Sequence, residues 1–209
     1  MATAGKSKEN VMLRDFVLAA AFLCCAAALA DTAWKADVYS GSWTNAANWT
    51  DGVPDENISA EIGNSGADYT VTIDSDTMLY ATNTYIHNSS GKTTLYVDSP
   101  ITFFPGTAAV PAINFGATFR QDTGARTFVR SGGRMIFDGP ATCSGIFWIQ
   151  NSDFTVDGGE LDFQGGNRME IRGTATYPAT IVVTNNGTFA WHYDGNRAPI
   201  HLSLAPIRT

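Results

Sequence analysis

Alternation dominates the chain from Asp31 onward. In Tyr69-Thr-Val-Thr-Ile73 and Thr94-Leu-Tyr-Val-Asp98 apolar and polar positions swap at every step, the period-two pattern of a half-buried strand. The same β-branched and aromatic bias marks Ile101-Thr-Phe-Phe104, Ile113-Asn-Phe115, Thr127-Phe-Val129, Arg134-Met-Ile-Phe137, Ile146-Phe-Trp-Ile149, Phe154-Thr-Val156, Glu160-Leu-Asp-Phe163, Met169-Glu-Ile171 and Ile181-Val-Val183. Gly, Asn, Asp or Ser bound these runs. No segment after Asp31 puts apolar residues at three-and-four spacing between a cap and a stop, so no helix is expected there. Short strands with polar turns predict an all-β chain.

Spacing sharpens the expectation. Val129-Arg-Ser-Gly-Gly-Arg-Met-Ile-Phe-Asp-Gly139 is echoed by Val156-Asp-Gly-Gly-Glu-Leu-Asp-Phe-Gln-Gly165, and more faintly by Val183-Thr-Asn-Asn-Gly-Thr-Phe-Ala-Trp191. Gly133 and Phe137 recur as Gly159 and Phe163, 26 residues on; Gly187 follows 28 later. A glycine turn and a strand in each copy predict a β-solenoid whose coils bury their inner faces only by stacking. Two interior columns are expected, Met135/Leu161/Phe189 and Phe137/Phe163/Trp191. Arg134 would lie above Glu160 on the outside, with Thr188 next, and Glu160 and Asp162 would face out. The competing architecture is an antiparallel β-sandwich or jelly roll whose hairpins repeat a Gly-Gly turn.

A solenoid leaves open strand edges at its ends, which must be covered. Residues 31–60 carry three tryptophans, Trp34, Trp43 and Trp49, and end in Gly52-Val53-Pro54-Asp55. They are expected to form an aromatic N-terminal cap, with Pro54 turning the chain into the regular coils of residues 61–209. Each buried indole would contribute about 2–3 kcal/mol and would need a partner for its N–H. The competing role for Trp43 and Trp49, with Asp51 beside them, is ligand binding, as a stacking platform for sugar.

The run Trp43-Thr-Asn-Ala-Ala-Asn48-Trp49-Thr-Asp-Gly52-Val-Pro54, followed by Gly158-Gly-Glu-Leu-Asp-Phe163, resembles the opening of autotransporter-passenger-like and related β-strand-repeat surface proteins of bacteria. The resemblance implies a right-handed parallel β-helix and a secreted or cell-surface setting in the bacterial envelope. It implies no particular activity. The C-terminal translocation barrel or anchor of such proteins is not apparent, so a fragment, a short paralogue and a secreted solenoid all remain as readings.

The first thirty residues read as a secretory signal peptide. Lys6, Lys8 and Arg14 precede the uncharged run Phe16 to Ala30, which closes with Ala28-Leu29-Ala30 and is short for a membrane span. Its removal takes Cys24 and Cys25 and leaves only Cys143, so no internal disulfide is expected. Ten Lys/Arg against eighteen Asp/Glu remain from Asp31 onward, an acidic balance that disfavours nucleic acid and anionic membranes as partners. No membrane span is expected after the signal.

Candidate chemistry is sparse. His87, His192 and His201 lack metal-ligand spacing, and Asp74-Ser-Asp76 and Asp55-Glu56 read as turns rather than calcium loops. Glu160 with Asp162 could form a carboxylate pair, yet no accompanying set of polysaccharide-cleaving residues is present. Ser144 and Cys143 lack an adjacent base. Arg120, Arg126, Arg130, Arg134, Arg168 and Arg172 could line a basic strip for acidic polysaccharide, against the simpler reading of pairing between coils. Sequons begin at Asn48, Asn57, Asn88 and Asn186. The expected protein is therefore an exported structural or adhesin-like solenoid without catalysis, metal or cofactor, with an extracellular polysaccharide or surface molecule as partner. The alternative is a carbohydrate-binding or carbohydrate-cleaving β-helix.

Overall fold

The computed structural model describes residues 30–63, 66–103, 115–137, 144–164 and 168–192. The run up to Leu29 that was expected to act as a signal, Cys143 and His201 lie outside them; Ala30 opens the first strand. Among these described residues seventeen strands form three sheets. Sheet I is β1 (Ala30–Ala33), β3 (Ile58–Ile62), β6 (Thr84–Ile86), β9 (Phe115–Gln121), β12 (Ser144–Gln150) and β15 (Arg168–Arg172). Sheet II is β2 (Ser40–Ser42), β4 (Tyr69–Ile73), β7 (Thr93–Val97), β10 (Ala125–Arg130), β13 (Asp153–Asp157) and β16 (Thr180–Thr184). Sheet III is β5 (Leu79–Ala81), β8 (Pro100–Phe103), β11 (Arg134–Phe137), β14 (Glu160–Gln164) and β17 (Thr188–His192). From β4 onward the chain visits sheets II, III and I in turn, so each strand's ladder neighbour is its counterpart one coil away.

Every ladder between these strands is parallel, which rules out the sandwich and jelly roll and makes the protein a parallel β-helix. Register follows the expected columns. Met135 pairs with Leu161 and Leu161 with Phe189; Phe137 pairs with Phe163 and Phe163 with Trp191. The columns extend to Ile101 and Phe103 on the preceding coil. Phe103, Phe137 and Phe163 stack nearly flat, with centroids 4.8 and 5.0 Å apart, because coils repeat at about 4.8 Å and like rings at that spacing fill the gap. Phe147 of sheet I meets Phe137 of sheet III edge-on at 5.4 Å and Phe154 of sheet II at 5.0 Å. Rings from all three sheets thus share one interior.

The glycine repeat has a direct cause at the corner between sheets II and III. A Cβ on Gly133 would lie 1.9 Å from the Val97 carbonyl oxygen; on Gly159 it would lie 2.5 Å from that of Arg130, and on Gly187 2.5 Å from that of Val156. The corner crosses directly over the backbone of the coil before it. The residue ahead takes a left-handed conformation, as Gly132 (φ 92°), Gly158 (φ 74°) and then Asn186 (φ 60°). Asn is the side chain that tolerates that region best, which explains why the third copy reads Asn-Gly.

The expectation that Asp162 is solvent-facing is corrected. Asp162 stands on the outer side of β14 as expected, but it is fully buried rather than solvent-facing, and its Oδ2 lies 2.5 Å from Arg134 Nη2. An outward position in a solenoid is still covered when its neighbours are long.

Candidate functional site

The tryptophan segment belongs to the first coil. Between β2 in sheet II and β3 in sheet I, residues 43–57 hold a 3-10 turn at Ala46–Asn48 instead of a third strand. Asn45 caps that turn by accepting from the Ala47 N–H at 3.0 Å. Asn48 donates to the Ser42 carbonyl at 2.9 Å. Its carboxamide comes so close to Gly41 that a Cβ there would sit 2.5 Å from Nδ2. Trp34 and Trp49 bridge in antiparallel fashion, and their rings meet edge-on at 5.1 Å; Trp49 and Trp43 meet at 5.0 Å. All three indoles are at most 3% exposed. Trp49 donates to the Trp43 carbonyl at 2.7 Å and Trp34 to that of Val38 at 2.6 Å. The Trp43 indole N–H is buried with no partner among the described residues, a cost of about 1–3 kcal/mol. Gly52 turns the chain at φ 99°, and Pro54 is buried. None of these three indoles leaves a face open for a sugar to stack on. Asp51 is exposed, and its backbone N–H donates to Thr32 Oγ1 at 3.1 Å.

The densest outward cluster lies elsewhere, on sheet I, and sequence reasoning missed most of it. Register aligns Glu61, Tyr85, Arg120, Trp148 and Glu170 in one outward row. Two residues on from the last four come His87 and Asp122, just past the ends of β6 and β9, and Gln150 and Arg172, at the ends of β12 and β15. The Arg120 guanidinium lies between two rings, 4.8 Å from Tyr85 and 5.3 Å from Trp148, and Arg172 covers Trp148 at 4.3 Å. His87 stacks on Tyr85 at 4.4 Å and meets Glu61 Oε1 at 2.9 Å. Asp122 Oδ2 accepts from Tyr85 at 3.0 Å and from Arg120 at 2.6 Å. Arg172 pairs with Glu170 at 2.5 Å, and Trp148 donates to Gln150 at 3.2 Å. Burial first, then the hydrogen bond to Asp122, pushes the Tyr85 phenol up. The Asp122 hydrogen bond likewise pushes Arg120 up. Tyr85 is therefore held as a proton donor, and the ring faces are occupied by neighbouring side chains. The missed signal was a shared offset: Tyr85, Arg120, Trp148 and Glu170 each stand two residues before a polar partner on a sheet I strand.

The arginines do not form one strip. Arg120 and Arg172 are on sheet I, Arg126 and Arg130 on sheet II, and Arg134 on sheet III. Arg130 reaches back one coil to Asp98 at 2.5 Å, which pushes its pKa up, and covers Tyr96 at 3.9 Å. Arg134 reaches forward to Glu160 at 3.0 Å as well as to Asp162. Arg126 donates to Thr94 Oγ1 at 3.0 Å. Glu160 and Asp162 thus share one arginine. Asp74 accepts from Ser42 at 2.5 Å, and Asp55 from the Asn57 N–H at 2.7 Å. Among the described residues no three His, Cys, Asp or Glu gather as a metal would need, and no helix is long and apolar enough to cross a membrane. Of the sequon asparagines, Asn48 and Asn88 are buried while Asn186 is exposed. No protein-family model, no curated protein and no solved structure matches the chain.

Proposed function

We propose that the protein is an exported structural or adhesin-like element of the bacterial cell surface, working as a rigid ladder without bond chemistry of its own. The observation that carries this reading is how the outward charged and aromatic side chains are used. Arg130 with Asp98, Arg134 with Glu160 and Asp162, Tyr85 with Asp122 and His87 with Glu61 each link one coil to the next. Groups that could serve as acid, base or sugar platform are engaged in bracing the coils. Tyr85, the most reactive-looking member, is biased towards its neutral form. The signal-like start, the acidic balance and the resemblance in the tryptophan segment favour export.

Two experiments test the reading. Protease shaving of intact bacteria expressing the full chain should remove it; full protection inside the cytoplasm would overturn the surface role. Incubation with pectin, alginate, chitin and cellulose should release neither reducing ends nor unsaturated products absorbing near the ultraviolet edge. Sustained release of either would replace the structural reading with the carbohydrate-cleaving one. A glycan array decides the carbohydrate-binding alternative, for which the sheet I ladder offers the aromatic and arginine side chains. Binding lost in Trp148→Ala and retained in Trp43→Ala would support it.

A further inference from the structure

One side chain in the sheet I interior breaks its column. Register aligns Ile62, Ile86, Gln121, Ile149 and Ile171 on the inward face. Gln121 is fully buried among the isoleucines. On sheet II the inward column Val71, Leu95, Thr127, Phe154 and Ile181 likewise holds one hydroxyl, on the same coil as Gln121 and equally buried. The two irregular residues meet, with Thr127 Oγ1 donating to Gln121 Oε1 at 2.6 Å. Gln121 Nε2 donates to Ser152 Oγ at 2.9 Å and to the Asp153 carbonyl at 3.0 Å, both one coil on. An isoleucine and a valine would serve burial as well as these two, so burial alone does not account for them.

We propose that the Gln121–Thr127–Ser152 cluster is a register lock, fixing where β9 sits against β6 and β12. The apolar pattern cannot do this. Side chains along a strand repeat every two residues, so sliding β9 by two keeps every inward residue inward. Slid one way, Phe119 would lie opposite Ile86 and Ile149; slid the other, Gln121 would lie opposite Thr84 and Phe147, where Phe119 now stands. Chain length does not fix the position either. Ile86 and Gln121 are 35 residues apart, against 24 from Ile62 to Ile86 and 22 from Ile149 to Ile171, and lengthening a connection costs little. Backbone pairing tolerates a shift, since the β9–β12 ladder changes register between Ser144 and Ile146, where β9 uses one residue more. Hydrogen bonds discriminate where apolar contacts do not. In the first slid form Gln121 leaves the Thr127 hydroxyl buried without its acceptor. In the second it carries its carboxamide deeper into the core, away from Ser152. A buried polar group without a partner is penalised, so the cluster selects one geometry and adds little to stability over an apolar core.

The test is the amide NMR spectrum of the full chain carrying Gln121→Ile, Thr127→Val and Ser152→Ala together, beside that of the unaltered protein. The unaltered protein should give one resonance for each amide of β9 and β12. The triple variant should melt close to it or higher, yet show a second set of resonances for Arg120, Trp148 and their neighbours, because the ratio of slid to native form rises at least about tenfold. Phe147→Leu, an apolar change at a buried position facing Phe119, should lower the melt and keep a single set. Gln121→Met, which keeps the side chain's length and loses its hydrogen bonds, is read in the same way and serves if the triple variant fails to fold. A single set of resonances in a folded variant, a second set already present in the unaltered protein, or one that appears equally in Phe147→Leu would overturn the proposal.

Discussion

The first and the last described coils of this solenoid are built in opposite ways. At the N-terminal end an irregular stretch folds three indoles into the first coil, each at most 3% exposed, in the place of a sheet III strand. In the last described coil a regular rung, TIVVT followed by TFAWH, keeps the period of the coils before it and leaves Val182, Val183 and Phe189 partly in water. Regularity builds a coil but cannot finish one, because each rung presents the same edge it was paired on. Closing an end takes residues that break the pattern: Asn45 and Asn48 to hold a tight turn, Gly41 to admit a carboxamide, Gly52 and Pro54 to redirect the chain.

That contrast can be broken by experiment. Trp49→Ala should cost about 3–5 kcal/mol in a denaturant titration, as truncation of a fully buried aromatic does. Phe189→Ala, in the last described coil, should cost less, about 1–2 kcal/mol, for its smaller loss of burial. Equal costs would mean the two coils are not energetically different. Gly133→Ala should come next, at about 2–3 kcal/mol, because its Cβ would fall within 1.9 Å of a carbonyl that a neighbouring coil holds in place. A neutral melt there would show that the corner relaxes. Asp162→Asn should cost about 1–3 kcal/mol by removing the charge that Arg134 faces at a fully buried position. Reading the melt of Arg134→Met and of the double variant completes the cycle and isolates the pair. The smallest effect concerns pH. Tyr85 has its pKa raised in the folded state, so its contribution to stability is intact below the ordinary phenol pKa of about 10 and is lost as pH climbs through the raised value. An alkaline absorbance titration should show a late-ionising tyrosine that disappears in Tyr85→Phe.

The sequence announced the strands through alternation, and the columns Met135/Leu161/Phe189 and Phe137/Phe163/Trp191 through the glycine corners. Those features are local: a strand's period is set by backbone geometry, and a corner with no room for a Cβ demands glycine wherever it recurs. Earlier coils were harder to read because their lengths vary. Leu79 pairs with Ile101, 22 residues on, whereas Ile101 pairs with Met135, 34 residues on, and the extra length falls between Phe103 and Phe115. Without a constant period, the shared two-residue offset of Tyr85, Arg120 and Trp148 could not be turned into a shared face.

Three things were decided only by the tertiary structure. Trp43 and Trp49 have the same composition around them whether they grip a sugar or plug a core; their burial followed from the turn at Ala46–Asn48. The arginines from Arg120 to Arg134 look like one patch in the chain, yet two corners intervene and distribute them over three sheets. Asp162 reads as a solvated charge and is a buried one. Alternation and glycine spacing follow from the covalent chain and its immediate neighbours, so the sequence determined them by itself. Which outward side chains meet and which are covered depend on how many residues each coil inserts before returning to the same sheet, and that sum over distant segments exists only once the coils are stacked.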